Sequence, residues 1–283
     1  MSDLHEGWCI VSNSVITLTT DFGVIDPYVG AMKGSILRIN PIATILDVTH
    51  QIIPQNLLQA SFLLAHSYRA YPSQAIHVVV IDPDVGSLRR PLLLDTPHGR
   101  FVAPDNGVLS HVLLRSMSGY PEQGGQSVIP AGWKAFHLTN ENYWLHPVSP
   151  TFHGRDVFAP VAAHLSLGVA SNCLGQQIHE AVCLPLSDVN WEQGKINGKI
   201  THVDRFGNMI TDIPKRLLDS ITRVEIHVNG HVIKGVHSYY AEGDGLMALV
   251  SSYDTLEIAV KNGSAADALL GHIGDGVLVV DKS

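Results

Sequence analysis

The sequence predicts an α/β fold followed by a smaller all-β domain, and three observations predict it. Short β-branched runs alternate with helical spacings through the first two-thirds of the chain, six strand patterns crowd the remainder, and a polar stretch after Pro185 separates the two. Val15–Thr20, Thr44–Val48 and Ile76–Ile81 are apolar runs that end at polar residues, as strands buried on both faces do. Between them, Val29, Met32, Ile36 and Ile39 recur at helical spacing over Tyr28–Ile39, and Leu58, Phe62 and Ala65 do so over Gln55–Tyr68. Pro27 and Pro54 stand where helices start. Strand–helix–strand order of this kind predicts a parallel sheet wound by right-handed crossovers.

After the polar stretch Ser187–Asn197, strand candidates follow at Gly198–Val203, Met209–Ile213, Thr222–Val228, His231–Val236, Leu246–Val250 and Leu256–Val260. Asn229-Gly230 is a strong hairpin turn. Short strands at this spacing predict a small antiparallel barrel or sandwich. A boundary near residue 190 divides the chain into domains 1–189 and 190–283. The segment 116–150, rich in Gly, Pro and Ser, reads as an irregular insertion.

Composition bounds the function. The 283 residues are 45% apolar and only 16% charged, a well-cored globular chain. A formal charge of −8 argues against nucleic acid or an anionic membrane as partner, because both need clustered cations. Arg89-Arg90 and Lys215-Arg216 are too short to supply them. Cys9, Cys173 and Cys183 are odd in number and match no zinc or disulfide spacing, which fits a reducing cytoplasm. Met1–Glu6 is acidic where a secretory signal would be basic, no apolar run approaches the roughly 20 residues of a membrane helix, and Asp281-Lys282-Ser283 carries no lipidation signal.

Acidic residues sit at the predicted strand ends: Asp21, Asp47 and Asp82. Open parallel sheets bind ligands outside these carboxyl ends, although Asp also caps helices and closes turns. From Asp82 the chain runs through Pro83-Asp84-Val85-Gly86-Ser87-Leu88 to Arg89, placing a carboxylate and a guanidinium seven residues apart across a Gly-containing turn. An Asp held by Arg can orient a water; the plainer alternative is a surface ion pair of little energetic weight. Thr151-Phe152-His153-Gly154-Arg155-Asp156 precedes an apolar helix over Val157–Leu167, so His153 is a candidate acid, base or water-orienting group among sixteen histidines. Asp21-Phe22-Gly23 spells a kinase magnesium motif without its companions, and no Walker or dinucleotide Gly loop and no His-Glu-x-x-His zinc pair is present. Composition and spacing therefore stop at an α/β enzyme with a carboxylate-rich site.

Ordered motifs go further. Leu18-Thr19-Thr20-Asp21-Phe22-Gly23 is followed by Asp26, Tyr28-Val29-Gly30 and Met32-Lys33-Gly34; then come Asp47-Val48-Thr49-His50, Asp82-Pro83-x-Val85-Gly86 and Ala103-Pro104-Asp105-Asn106-Gly107; and Phe152-His153-Gly154-Arg155-Asp156 and Asp204-Arg205-Phe206-Gly207-Asn208 complete the set. In this order, over nearly the whole chain, they resemble the S-adenosylmethionine hydroxide adenosyltransferases, relatives of the fluorinases and chlorinases. The resemblance implies an N-terminal α/β domain, a C-terminal β-barrel, no cofactor or metal, and a homotrimer with S-adenosylmethionine bound between subunits. It implies cleavage of that substrate by water to adenosine and methionine, with Asp82, Arg89 and His153 as the water-activating triad. Asp21 matches the residue on the ribose hydroxyls, Asp204 the one on the methionine ammonium and Asn208 one that reads the adenine. Ser252 and Tyr253, within 251–253, resemble the part contacting the amino-acid end; Glu257 and Val260 fall in a stretch whose backbone borders the adenine.

Three positions depart from the family pattern. Asp84 replaces a usual Gly and adds a carboxylate beside the expected water site, Asp212 replaces a common Asn, and the 116–150 segment is longer than typical. The halide-using relatives carry Tyr or Gly at position 82 and Trp at 55, and the fluorinase has Ser at 154, where this chain has Asp82, Gln55 and Gly154. A carboxylate repels halide, so Asp82 favours water over a halide-dependent transferase. A non-catalytic S-adenosylmethionine or adenosine sensor would have no need of Asp82, Arg89 and His153 together.

Overall fold

The computed structural model describes residues 14–116, 123–186, 189 and 191–282. Met1–Glu6, Cys9 and Ser283 fall outside them, as do parts of the 116–150 and 187–197 segments. The chain divides into two compact units, Met1–Leu186 and Ser187–Ser283.

In the first unit, β1 (Ile16–Thr20), α1 (Tyr28–Ile39), β2 (Ile45–Thr49), α2 (Leu57–Ser67) and β3 (Ile76–Val80) follow the expected order. They continue into β4 (Pro91–Thr96), β5 (Gly99–Pro104), α3 (Ser110–Leu114), β6 (Gly125–Val128), β7 (Lys134–His137), α4 (Ala159–Ser166), β8 (Gln176–Ile178) and β9 (Glu180–Cys183). The main sheet has the order β2-β1-β3-β5-β4-β7-β8. Pairing is parallel from β2 to β5 and antiparallel from β5 to β8, so the sheet is mixed rather than wholly parallel. Its antiparallel half begins at the β4–β5 hairpin, whose two-residue turn at Pro97-His98 carries no Asn-Gly signal. Segment 116–150 is also less irregular than its composition implies: β6 pairs with β9, and β7 joins the main sheet.

Strand alternation places the core. Val78 and Val80 pack with Met32 and Ile36 of α1 and Val161 of α4; Val79 and Ile81 pack on the other face with Leu64 of α2 and Val112 of α3. β1 and β3 are buried throughout, whereas β2 is half exposed because it is the edge strand. Pro27 caps α1, but α2 starts three residues after Pro54, where the Asn56 side chain accepts from Gln59 N–H. The chain leaves β1 for β2 on one side and returns past β1 to β3 on the other. The carboxyl ends of β1 and β3 therefore flank a topological switch point, where open sheets bind ligands.

The second unit is antiparallel: β10 (Trp191–Glu192), β11 (Lys195–Val203), β12 (Met209–Pro214), β13 (Val224–Val228), β14 (His231–Lys234), β15 (Leu246–Val250), β16 (Thr255–Val260) and β17 (Gly276–Asp281), with α5 (Ala265–Leu269) before the last strand. The order β14-β13-β17-β11-β12-β16-β15 nearly closes on itself, since a bridge between His237 and Leu249 links the chain just beyond β14 to β15. Asn229 and Gly230 have φ of 45° and 78°, the two positive values of the expected tight hairpin. β17 and α5 are additions to the sequence expectation. Asp212 accepts from Lys199 N–H at 2.7 Å, tying β12 to β11 where their register slips.

Arg90 and Asp105 anchor the β9 segment in the first unit. Arg90 Nε donates to Asp105 Oδ2 at 2.8 Å, while Asp105 Oδ1 accepts from Val182 N–H at 2.8 Å. The Asp105 side chain is 2% exposed, so removing its counter-charge strands a buried carboxylate. Arg90→Ala is expected to lower unfolding free energy by about 3 kcal/mol in chemical denaturation, against under about 1 kcal/mol for Lys33→Ala at the exposed Lys33–Asp47 pair.

Candidate active site

The site of the first unit begins where β3 runs out. Ile81 is still buried, and its carbonyl accepts from Asn106 Nδ2 at 2.9 Å, which fixes the backbone just before Asp82. The chain then turns through 82–87, with Ser87 N–H bonded to the Asp84 carbonyl at 3.0 Å. Gly86 has φ +83°, and a Cβ there would sit 2.5 Å from the Pro150 carbonyl oxygen, so the turn requires glycine on both counts. It brings Arg89 back over Asp82: Nε donates to Oδ1 at 2.9 Å and Nη2 to Oδ2 at 2.5 Å. The two side chains are only 6% and 5% exposed, which removes them from the class of weak surface pairs. Asp84 is exposed, outside this fork.

His153 arrives from a separate segment. It precedes a π turn at Gly154–Phe158 that runs into α4, a device often found at functional sites, where the expected helix would have been regular from Val157. Arg155 grips Asp156 at 2.6 and 2.8 Å, and Asp156 accepts from Ser149 N–H at 2.9 Å, which secures the incoming loop. The His153 ring then meets Arg89, Nη2 to Nδ1 at 2.7 Å, and Phe158 lies under the guanidinium at 5.3 Å. Arginine only donates, so Nδ1 is the acceptor and a neutral His153 carries its proton on Nε2. Burial first, and then the Arg89 charge, push the His153 pKa below its ordinary value, partly opposed by Asp82 and Asp156.

Asp21 follows β1, the strand adjacent to β3, and its Oδ2 accepts from Gln55 N–H at 2.8 Å. Among the described residues, no group of three or more His, Cys, Asp or Glu side chains is placed to hold a metal ion.

The second unit holds a cleft of about 1260 Å³, and Asp204, Asn208, Ser252, Tyr253, Glu257 and Val260 all line it. Asp204 opens the turn after β11: its Oδ1 accepts from Phe206 N–H at 2.8 Å and Asn208 N–H at 2.9 Å, and Asn208 Nδ2 donates to Oδ2 at 2.9 Å. Gly207, at φ +83°, is needed here because a Cβ would collide with Ser264. Glu257 points its own carboxyl into the wall, where Tyr240 donates to Oε1 at 2.5 Å. Burial raises the Glu257 pKa and the Asp204 charge adds to the rise, while the Tyr240 bond opposes it. Tyr240 is a cleft residue that sequence reasoning missed; it lies between β14 and β15, where no strand or helix periodicity marks a site.

Residues 16–175 match the family described as "SAM hydroxide adenosyltransferase N-terminal domain" and residues 198–278 match "SAM hydroxide adenosyltransferase C-terminal domain". The chain is similar to the (R)-S-adenosyl-L-methionine hydrolase of Salinispora arenicola, at 34% identity over 95% of this chain and 99% of that one. It is similar to the enzyme of the same name from Methanocaldococcus jannaschii, at 35% identity over 87% and 88% of the two chains. A fluorinase of Actinoplanes is more distant, at 24% identity over 73% and 74%. A solved structure of a conserved Thermotoga maritima protein superposes with a TM-score of 0.83 at 32% identity, covering 94% of this chain and all of that one. With both family domains matched in order over most of its length, the chain belongs to the SAM hydroxide adenosyltransferase family.

Proposed function

We propose that the protein hydrolyses S-adenosyl-L-methionine to adenosine and L-methionine, by attack of water or hydroxide at the ribose C5′. The observation that carries this reading is the buried fork of Arg89 on Asp82 with His153 against the same guanidinium. The names of the relatives support it and extend it to the R configuration at the sulfonium. A second line of support is the cleft that gathers Asp204, Asn208, Ser252, Tyr253, Glu257 and Val260.

The chemistry asks little of the leaving group. As the new O–C5′ bond forms, the C5′–S pair passes to a sulfonium sulfur, which departs as a neutral thioether and needs no proton. The enzyme must hold the water and take its proton. Each Asp82 oxygen keeps a lone pair after Arg89 has engaged one, so the carboxylate can accept a water proton in a fixed direction. The Nε2–H of His153 supplies a donor for the water oxygen, completing its orientation. Hydroxide and sulfonium lose charge together in the transition state, so exclusion of bulk water favours the step. Asp21 is assigned to the ribose hydroxyls, Asp204 to the ammonium, Asn208 to the adenine, Ser252 and Tyr253 to the amino-acid end, and the Glu257 and Val260 backbone to the adenine border.

We further propose a cytoplasmic homotrimer that needs no cofactor, with the substrate site completed between neighbouring subunits. Ile25 and Leu88, which lie close in sequence to Asp21 and Asp82, are almost fully exposed in the single chain, and apolar side chains so placed suit a subunit interface. Among the described residues, neither Cys173 nor Cys183 is in a disulfide, and no described helix is long and apolar enough to cross a membrane.

Three expectations follow from these assignments. Reaction in ¹⁸O-water is expected to place label in the 5′ oxygen of adenosine, undiminished by a chelator; formation of 5′-chloro-5′-deoxyadenosine with added chloride, or tight binding without turnover, would overturn the hydrolase reading. Asp82→Asn keeps the shape of the side chain but not its basicity, and is expected to cut adenosine formation by about 10²–10³-fold in a chromatographic assay. Wild-type turnover in that variant would remove Asp82 from the mechanism.

The third concerns pH. Because the folded-state pKa of His153 lies below its ordinary value of 6.5, the unfolded chain binds its proton first, and His153 contributes stability above that value that is lost as pH falls through the folded pKa. Protonation also sets an Nδ1–H against Arg89. The acid limb of kcat/KM is therefore expected below pH 6.5, and His153→Asn should abolish that limb in a pH–rate profile.

A further inference from the structure

The segment Asp47-Val48-Thr49-His50 stands beside Asp21 but has no part in the chemistry above. His50 is 5% exposed, and it grips the Asp21 turn on both sides. Its Nδ1 lies 2.9 Å from the hydroxyl of Thr20, the residue before Asp21, and that hydroxyl also accepts from Phe22 N–H at 3.2 Å. Its carbonyl accepts from the N–H of Gly23 at 2.8 Å. On the far side of the ring, Nε2 lies 3.1 Å from Asp47 Oδ1, an electrostatic contact rather than a straight hydrogen bond. Asp47 Oδ2 in turn accepts from Lys33 Nζ at 2.7 Å.

The proton positions follow from the partners. An ionised carboxylate only accepts, so Nε2 carries the hydrogen that faces Asp47. In the neutral ring Nδ1 is then the acceptor, and the Thr20 hydroxyl donates to it. Partial burial would raise the Asp47 pKa, but the Lys33 bond and charge, helped by the facing His50 ring, outweigh it and hold the carboxyl below its usual range, so the charge that orients the ring is in place at neutral pH. The result is a ring held between the Thr20 hydroxyl on one side and the Asp47 carboxylate on the other, and it sets the backbone on which Asp21 rides. Asp21 is further tied at Oδ2 by Gln55 N–H, which leaves Oδ1 for a ligand.

We propose that His50, oriented by Asp47, is a positioning residue that presents Asp21 to the vicinal hydroxyls of the ribose. The proposal rests on the assignment of Asp21 to the ribose. It predicts a defect confined to ligands that carry those hydroxyls, which a general loosening of the fold would not produce.

Binding of adenosine and of 2′,3′-dideoxyadenosine is to be measured by calorimetry with the full chain. His50→Ala is expected to weaken adenosine by about tenfold while the dideoxynucleoside stays within about twofold, because only the former uses a hydrogen bond to Asp21. Should His50→Ala fail to fold, Asp47→Asn, at an exposed position, is expected to act in the same direction by about threefold. Equal losses for both nucleosides in a folded variant, or no loss for either, would overturn the role of His50. A wild-type protein that does not prefer adenosine to its dideoxy analogue would instead overturn the ribose assignment of Asp21, and the inference with it.

Discussion

Keeping the Asp82–Arg89 pair out of water is the constraint on which the rest of the first unit's site depends. Desolvating two charges is unfavourable unless geometry and further hydrogen bonds repay it, and removing either partner leaves the other stranded. The surroundings meet that demand piece by piece. Asn106 fixes the end of β3, Gly86 lets the returning turn pass under Pro150, Phe158 lies under the guanidinium, and His153 accepts the remaining Nη2 hydrogen bond. The Ala103–Gly107 motif thus serves twice: Asp105, paired with Arg90, accepts from Val182 N–H and so secures β9, and Asn106 aims the strand that carries Asp82.

The second unit solves a different electrostatic problem. Its cleft brings two carboxylates, Asp204 and Glu257, to one wall, with Tyr240 and Tyr253 beside them. Asp204 is held by three donors from its own turn, which fixes the direction of its carboxyl. Glu257 is instead buried against a phenol, and the Tyr240 hydroxyl is itself pushed up, by burial first and by Glu257 next. A wall of this kind offers hydrogen-bond acceptors, which suits the contacts proposed for the ammonium and adenine of the substrate.

What the sequence made legible follows from range. β1, β3 and α1 could be read because continuous apolar runs and a clean helical spacing are local signals, and α1 falls at the expected Tyr28–Ile39. The antiparallel half of the sheet could not, since β4 and β5 meet through a Pro-His turn that advertises nothing and are pinned by partners far along the chain. The edge position of β2 is likewise a property of the assembled sheet, not of its own residues. At the site, Asp82 and Arg89 could be paired across seven residues and a glycine. His153, 64 residues beyond Arg89, stood out locally before an apolar helix, but it joins them through a π turn that no spacing announces, so only the family resemblance grouped it with Asp82 and Arg89. Tyr240 had neither signal.

The cleft of the second unit has a consequence of another kind. Every side chain lining it comes from residues 204–264, while the Asp82 fork is built wholly from residues of the first unit. If the fork chooses the nucleophile and the cleft grips the adenine and the amino-acid tail, with Asp21 on the ribose, the two traits can be inherited and altered separately. A lineage could exchange water for another attacking group by rewriting a few positions around a single turn, while the apparatus that recognises the cosubstrate passes through unchanged. Such a division makes the scaffold a ready ancestor for new adenosyl-transfer chemistry.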